Sequence, residues 1–244
     1  EAARFGAVYK PVPILPPDQY LSLVIHATEG CSYNECNFCT FYRDRPFRIK
    51  SLAALDAHIE GVLAFVGRGI SLRRSIFLAD ANAVIIAQER LLPMLEHINL
   101  RLPAGRGAPH GIYAFISAPD ALHKSAADFA ALKALNLRRL YVGLESGHDP
   151  LRRFLRKQGD AAHVVAAVAG MKAGGLAVGL IVMVGVGGET FRASHLRDTV
   201  ALVERLPLAA GDLIYLSPFV AGDSTPYELD AAAAAIAPLD EEAI

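Results

Sequence analysis

LSLVIHATEGCSYNECNFC, residues 21–39, joins an apolar run to a loop that holds every cysteine of the chain. Leu21–Ala27 reads as a buried strand, short and rich in aliphatic residues. Cys31, Cys36 and Cys39 follow directly, spaced C-x4-C-x2-C. Soft thiolates grouped in this way are ligands for iron–sulfur clusters, zinc or cuprous copper. A structural zinc site is closed by four protein ligands, and an electron-carrying cubane cluster by four cysteines. No fourth cysteine exists here. Either His26 completes the set or one metal position stays open for chemistry; the open position is the preferred reading.

Working outward, the sequence alternates strands and helices. Strands are expected at Leu21–Ala27, Ser75–Leu78, His110–Ile116, Arg139–Leu144, Leu176–Val184 and Leu213–Leu216. Helices are expected after a Ser51 cap, between Gln88 and Asn99 around Pro93, after the Ser125–Asp128 capping box, after Asp149-Pro150, from Asp160 to Ala173, and after a Thr190 cap. Near-continuous apolar strands separated by helices predict a parallel sheet covered on both faces. Ligands then sit at the C-terminal ends of the strands, whether the sheet is open or curved. The polar groups fall there: the cysteine loop, Asp80 and Asn82, Ser117, Glu145 and Ser146, the 185–189 glycine turn, and Ser217.

With net charge −1, there is no bulk electrostatic case for nucleic acid or an anionic membrane. Leu176–Val186 is too short to cross a bilayer. Prolines 11, 13, 16 and 17 stand where a secretory segment would be apolar. Three closely spaced thiols without an export signal point to a reducing cytoplasm. Residues 1–20 are expected to be an extended arm, 21–226 the core, and 227–244 a C-terminal helical segment. A helix starting at Pro238 and cut short suggests part of something longer.

Four runs carry a family likeness: TEGCSYNECNFCTFYR (28–43), YVGLESGHDPLRRFLRK (141–157), VMVGVGGE (182–189) and SPFVAGDSTPY (217–227). Together they resemble the radical S-adenosylmethionine superfamily, on the branch of oxygen-independent coproporphyrinogen oxidases and methylthiotransferases. The resemblance implies a partial (β/α)6, TIM-like barrel whose three cysteines hold a [4Fe–4S] cluster. The fourth iron is then left for the amino and carboxylate groups of S-adenosylmethionine. Reduction cleaves that cofactor to a 5′-deoxyadenosyl radical, which takes hydrogen from a substrate. The commonest superfamily spacing is C-x3-C-x2-C, so this chain has one extra residue between Cys31 and Cys36.

By the same resemblance Phe38 is the aromatic beside the last cysteine, and Asp80 and Asn82 stand where the methionine amine is bound. Glu145 and Ser146 stand at the ribose or amine, and Arg156 and Lys157 at the carboxylate. Ser117 is a further cofactor contact, and Gly185 and Gly187 let adenine lie against bare backbone. Blander readings exist for three of these groups: an Asx turn at Asp80–Asn82, helix-end cations at Arg156 and Lys157, an ordinary strand–helix turn at the glycines. The arginine-dense loop after the cysteines offers Tyr42, Arg43 and Arg45 to an anionic group on the substrate. His110 and Ser217 are further substrate candidates. Partners implied are a small or medium-sized substrate and an electron donor such as flavodoxin or ferredoxin. Two other classes compete: a non-catalytic iron–sulfur relay, and a zinc protein using His26.

Overall fold

Six parallel strands lie side by side in chain order: β1 (Leu23–His26), β2 (Ile76–Ala79), β3 (Ile112–Phe115), β4 (Leu137–Glu145), β5 (Ala177–Val184) and β6 (Leu213–Pro218). This computed structural model describes residues 2–102, 110–221, 225–240 and 242. An open doubly wound sheet reverses its strand order at a switch point. Here the order never reverses, so crossovers of one hand put their helices on one face. The sheet becomes a partial barrel, as the resemblance implied.

Side chains sort by that geometry. Ile25, Leu78, Ala114, Val142 and Leu180 point outward and join α2 (Leu52–Val66), α3 (Gln88–Arg101), α5 (Ala126–Ala134), α7 (Ala161–Ala173) and α8 (Gly188–Glu204) in the main core. Inside the barrel lie Phe77, Tyr113, Phe115, Tyr141 and Tyr215, with Phe77 edge-on to Phe115 at 5.1 Å. The Ser51 cap and the Ser125–Asp128 capping box form as read. Pro93 sits inside α3 on its exposed face, where water can satisfy the carbonyl it leaves unbonded.

Three expectations are corrected. The N-terminal arm is not simply extended: Ala2–Val8 form helix α1, and Phe5 and Tyr9 stack on each other and against Phe65 of α2. Helix α8 starts at Gly188, with Gly187 at φ 81° as its cap, three residues ahead of the expected cap Thr190. The C-terminal helix, α9, runs Pro226–Ala233, and no helix starts at Pro238 among the described residues. Gly222–Ser224 of the SPFVAGDSTPY run, and most of residues 241–244, lie outside the described residues.

Pro17–Gln19 plug the bottom of the barrel. Asp18 accepts from Tyr141 Oη at 2.6 Å, Tyr215 Oη at 2.5 Å and Arg139 at 2.8 Å. Burial opposes ionisation of Asp18, but the bonds from Tyr141, Tyr215 and Gln19 and the Arg139 charge outweigh it, so its pKa falls. Burial and the same bond push the Tyr215 phenol up to about 12. A carboxyl depressed in the folded state adds stability that is full above its unfolded pKa and is lost as pH falls through the folded value. The melting-temperature gap between wild type and Asp18→Asn is therefore expected to narrow as pH drops below the ordinary aspartate value of 3.8. A gap that stays constant on acidification would show that the plug does not depend on the Asp18 charge.

Candidate active site

The C-terminal strand ends open on a cavity of ≈ 410 Å³. Cys31, Cys36 and Cys39 form part of its wall, and all three thiols are free and half-buried. The loop is pinned at several points. Asp80 accepts from Gly30 N–H at 2.9 Å, fixing the residue before Cys31. The longer first interval turns at Asn34, φ 54°, whose N–H points at Cys31 Sγ at 3.3 Å. Asn37, fully buried, donates to Phe154 O at 2.9 Å and to Asp230 at 2.8 Å. It thereby ties the loop to α6 (Asp149–Phe154) and to α9. Burial pushes the Cys36 thiol up to about 11, against the pull of Lys157, and raises Cys39 as well.

Across the cavity, β4 ends in a bulge between Gly143 and Glu145, which lies at φ 57°. Bulges bend a strand and re-aim its side chains, and a left-handed non-glycine residue costs about 1 kcal/mol or more. Here the bend brings the Glu145 carboxylate to 2.8 Å from Lys157 Nζ, with side-chain exposures of 8% and 18%. Burial works against the Lys157 ammonium, yet Glu145 and Cys36 outweigh it and its pKa rises. Gly143 makes the pair possible: a Cβ there would fall on the Glu145 carboxylate and the Lys157 ammonium. Arg152, buried behind them, donates to the carbonyls of Leu144, Ser146, Gln158 and Gly159. It thus holds both flanks of the pair.

A second polar group forms at the ends of β2 and β3. Asn82 accepts from Ser117 N–H at 3.2 Å and donates to Ser32 Oγ at 3.0 Å and Asp120 at 2.6 Å. Ser117 caps the short helix α4 (Ala118–Ala121) and bonds Asp120 at 2.5 Å.

Of the residues singled out in the sequence, Cys31, Cys36, Phe38, Cys39, Tyr42, Asn82, Ser117, Glu145, Lys157 and Ser217 line this cavity. The others lie elsewhere, each for a stated reason. Asp80 is buried under the loop, 3.3 Å from His26. Ser146 bonds His195 at 2.8 Å behind the strand. Arg156 turns out to solvent and chelates Asp230 of α9 at 2.7 and 2.8 Å. Gly185 and Gly187 form the turn into α8, and the Gly187 N–H is taken by Tyr227 Oη at 3.0 Å. Arg43 donates to the Cys36 carbonyl and Arg45 to the Pro11 carbonyl, so neither reaches the wall. His110 is exposed at the N-terminal end of β3, the opposite end of the barrel, because the strand begins only at Ile112. Phe115, Tyr141, Ile181 and Met183 line the cavity unannounced. Strand alternation was the signal for them, hidden because residues on both faces are apolar.

The exposed Arg156–Asp230 pair is worth ~0–1 kcal/mol. Arg156→Ala is expected to lower stability within that range and to leave cofactor affinity within about twofold. A large loss of affinity by equilibrium dialysis would return Arg156 to the cofactor site.

His26 faces a separate cavity of ≈ 340 Å³ with Tyr9, Lys50 and His58, so it does not close a site with the cysteines. Among the described residues no group of three or more His, Cys, Asp or Glu could hold a single metal ion. Three free thiols on one wall, with His26 in another cavity, lack among the described residues the fourth protein ligand of a structural zinc site.

The sequence model of the radical SAM superfamily matches residues 25–202. The chain belongs to that superfamily, whose enzymes use a [4Fe–4S] cluster, S-adenosylmethionine and a reductant. No curated protein matches the chain in sequence. Similar solved structures include the cobalamin-dependent S-adenosylmethionine radical enzyme OxsB, 17% identical with a TM-score of 0.59, over 86% of this chain and 29% of that one. Methylornithine synthase PylB is 15% identical, TM-score 0.59, over 85% and 56%. Coproporphyrinogen III oxidase HemN from Escherichia coli is 14% identical, TM-score 0.57, over 99% and 52%. At such identities the likeness establishes the fold. The chain spans between 29% and 56% of the length of these three neighbours. No helix among the described residues is long and apolar enough to cross a membrane.

Proposed function

We propose that residues 21–226 are the catalytic core of a radical S-adenosylmethionine enzyme, with residues 17–19 plugging the barrel and α9 bracing its cysteine loop. One observation carries this reading. Every thiol of the chain lines the same cavity as a buried carboxylate–ammonium pair, at the strand ends where barrel enzymes work.

Cys31, Cys36 and Cys39 hold the cluster, leaving one iron to the cofactor. Lys157 orients the cofactor carboxylate, and Glu145 its amine or ribose hydroxyls. Asn82 and Ser117, fixed by Asp120, present further polar contacts, and Phe38 packs beside the last cysteine. Asp80, Asn37 and Arg152 act at one remove, by positioning the loop and the charged pair. When bound, cluster and cofactor supply one-electron reduction and removal of hydrogen from an unactivated C–H bond. The apolar wall excludes water from that chemistry. A reducing cytoplasm, and a flavodoxin or ferredoxin as donor, suit three free thiols and a cluster that must be reduced.

Anaerobic reconstitution with iron and sulfide should give broad absorbance near ~400 nm. With S-adenosylmethionine and dithionite the same sample should form 5′-deoxyadenosine. A fully loaded cluster that yields none would make the protein an electron relay instead.

A further inference from the structure

We propose that the substrate is a small molecule whose reacting part is uncharged and apolar, gripped by an aromatic and aliphatic wall. This rests on the proposed radical chemistry and sharpens it. The cavity is lined by two charged side chains among the described residues, Glu145 and Lys157, and these neutralise each other. Both are assigned to the cofactor. No arginine, histidine or aspartate lines the cavity among those residues. Neither arginine of the post-cysteine loop lines the cavity: Arg43 donates to the Cys36 carbonyl, and Arg45 bonds the Pro11 carbonyl, pairs with Asp44 and lies over the Tyr42 ring. A carboxylate or ammonium on the reacting part of a substrate would therefore be desolvated without a partner, which costs several kcal/mol.

What faces the cavity instead is Phe115, Tyr141, Ile181 and Met183 in its depth. At its mouth stand Phe41, 46% exposed, and Val220, 83% exposed. Large apolar side chains left in water beside a cavity mark a contact surface. At ≈ 410 Å³ the cavity is the size of one small-molecule site, which the cofactor would share, so the substrate is held largely towards the mouth. A cofactor seated on the cysteine side leaves the substrate the apolar side and the mouth.

The probe is N-phenyl-1-naphthylamine, an uncharged dye whose emission rises in apolar surroundings; the chain has no Trp to interfere. It is added to reconstituted protein loaded with S-adenosylmethionine. The dye is expected to bind, to be displaced by cyclohexanol, and to be unaffected by equal concentrations of glutarate or cadaverine. Phe41→Ser, at an exposed rim position that leaves folding intact, should weaken it about tenfold. Ile181→Asp, checked for folding by circular dichroism, should weaken it further. Dye binding unchanged in Phe41→Ser, or displacement by glutarate or cadaverine as effective as by cyclohexanol, would overturn the proposal. Cluster absorbance and 5′-deoxyadenosine are read on the same samples. Their absence defeats the radical reading itself, whereas their presence with a failed dye result defeats only the substrate class.

Discussion

Cys36→Ala is expected to hold no [4Fe–4S] cluster and to form 5′-deoxyadenosine only at background, while the barrel stays folded. On the proposed reading three thiols hold three of four irons, and no spare thiol exists to replace the one removed. Removing a half-buried thiol from a wall of the cavity deletes little packing, so the secondary structure and the melting curve of the apoprotein should change slightly. Conversely Asn37→Ala, which unties the loop from α6 and α9 but keeps all three ligands, should bind iron about 10–100-fold more weakly, the usual penalty for losing support behind a metal ligand. Iron and sulfide content, measured anaerobically for wild type and both variants, decides the matter. A Cys36→Ala protein with full cluster would mean that another side chain serves as ligand.

The Glu145–Lys157 pair should give the largest stability effect. Lys157→Met leaves a carboxylate at 8% exposure without its ammonium, and breaking one partner of a buried pair costs ~3–5 kcal/mol. Removing both, in Glu145→Gln with Lys157→Met, leaves no stranded charge and should recover most of that loss. Denaturant unfolding of the two single variants and the double one measures the coupling directly. If Glu145 and Lys157 orient the cofactor as proposed, its affinity should fail to recover in the double variant. If the double variant is as unstable as Lys157→Met, the pair is not coupled and the site's electrostatics must be sought elsewhere.

These two effects differ in how readable they were. The cysteine loop is a local pattern: its spacing, and its place directly after an apolar run, are both sequence properties. Lys157 and Arg156 are neighbours at the end of one short helix and looked equivalent. Successive residues there point in different directions, and packing against α9 takes Arg156 while the bulge in β4 takes Lys157. Asp80 and Asn82 divide in the same way, the first turned beneath the loop to Gly30, the second into the cavity.

By itself the sequence determined the alternation of six strands with helices, the cysteine loop after the first of them, and the placing of polar groups at strand ends. Short-range chemistry suffices for these: apolar runs, caps, and thiols close in sequence. Tertiary structure decided that the sheet curls into a barrel, that residues 17–19 close its floor, and which polar tips face the cavity. Those outcomes depend on contacts between residues far apart, such as Asp18 with Tyr215 or Asn37 with Asp230. A one-residue bulge then redirects a side chain that no local pattern could have aimed.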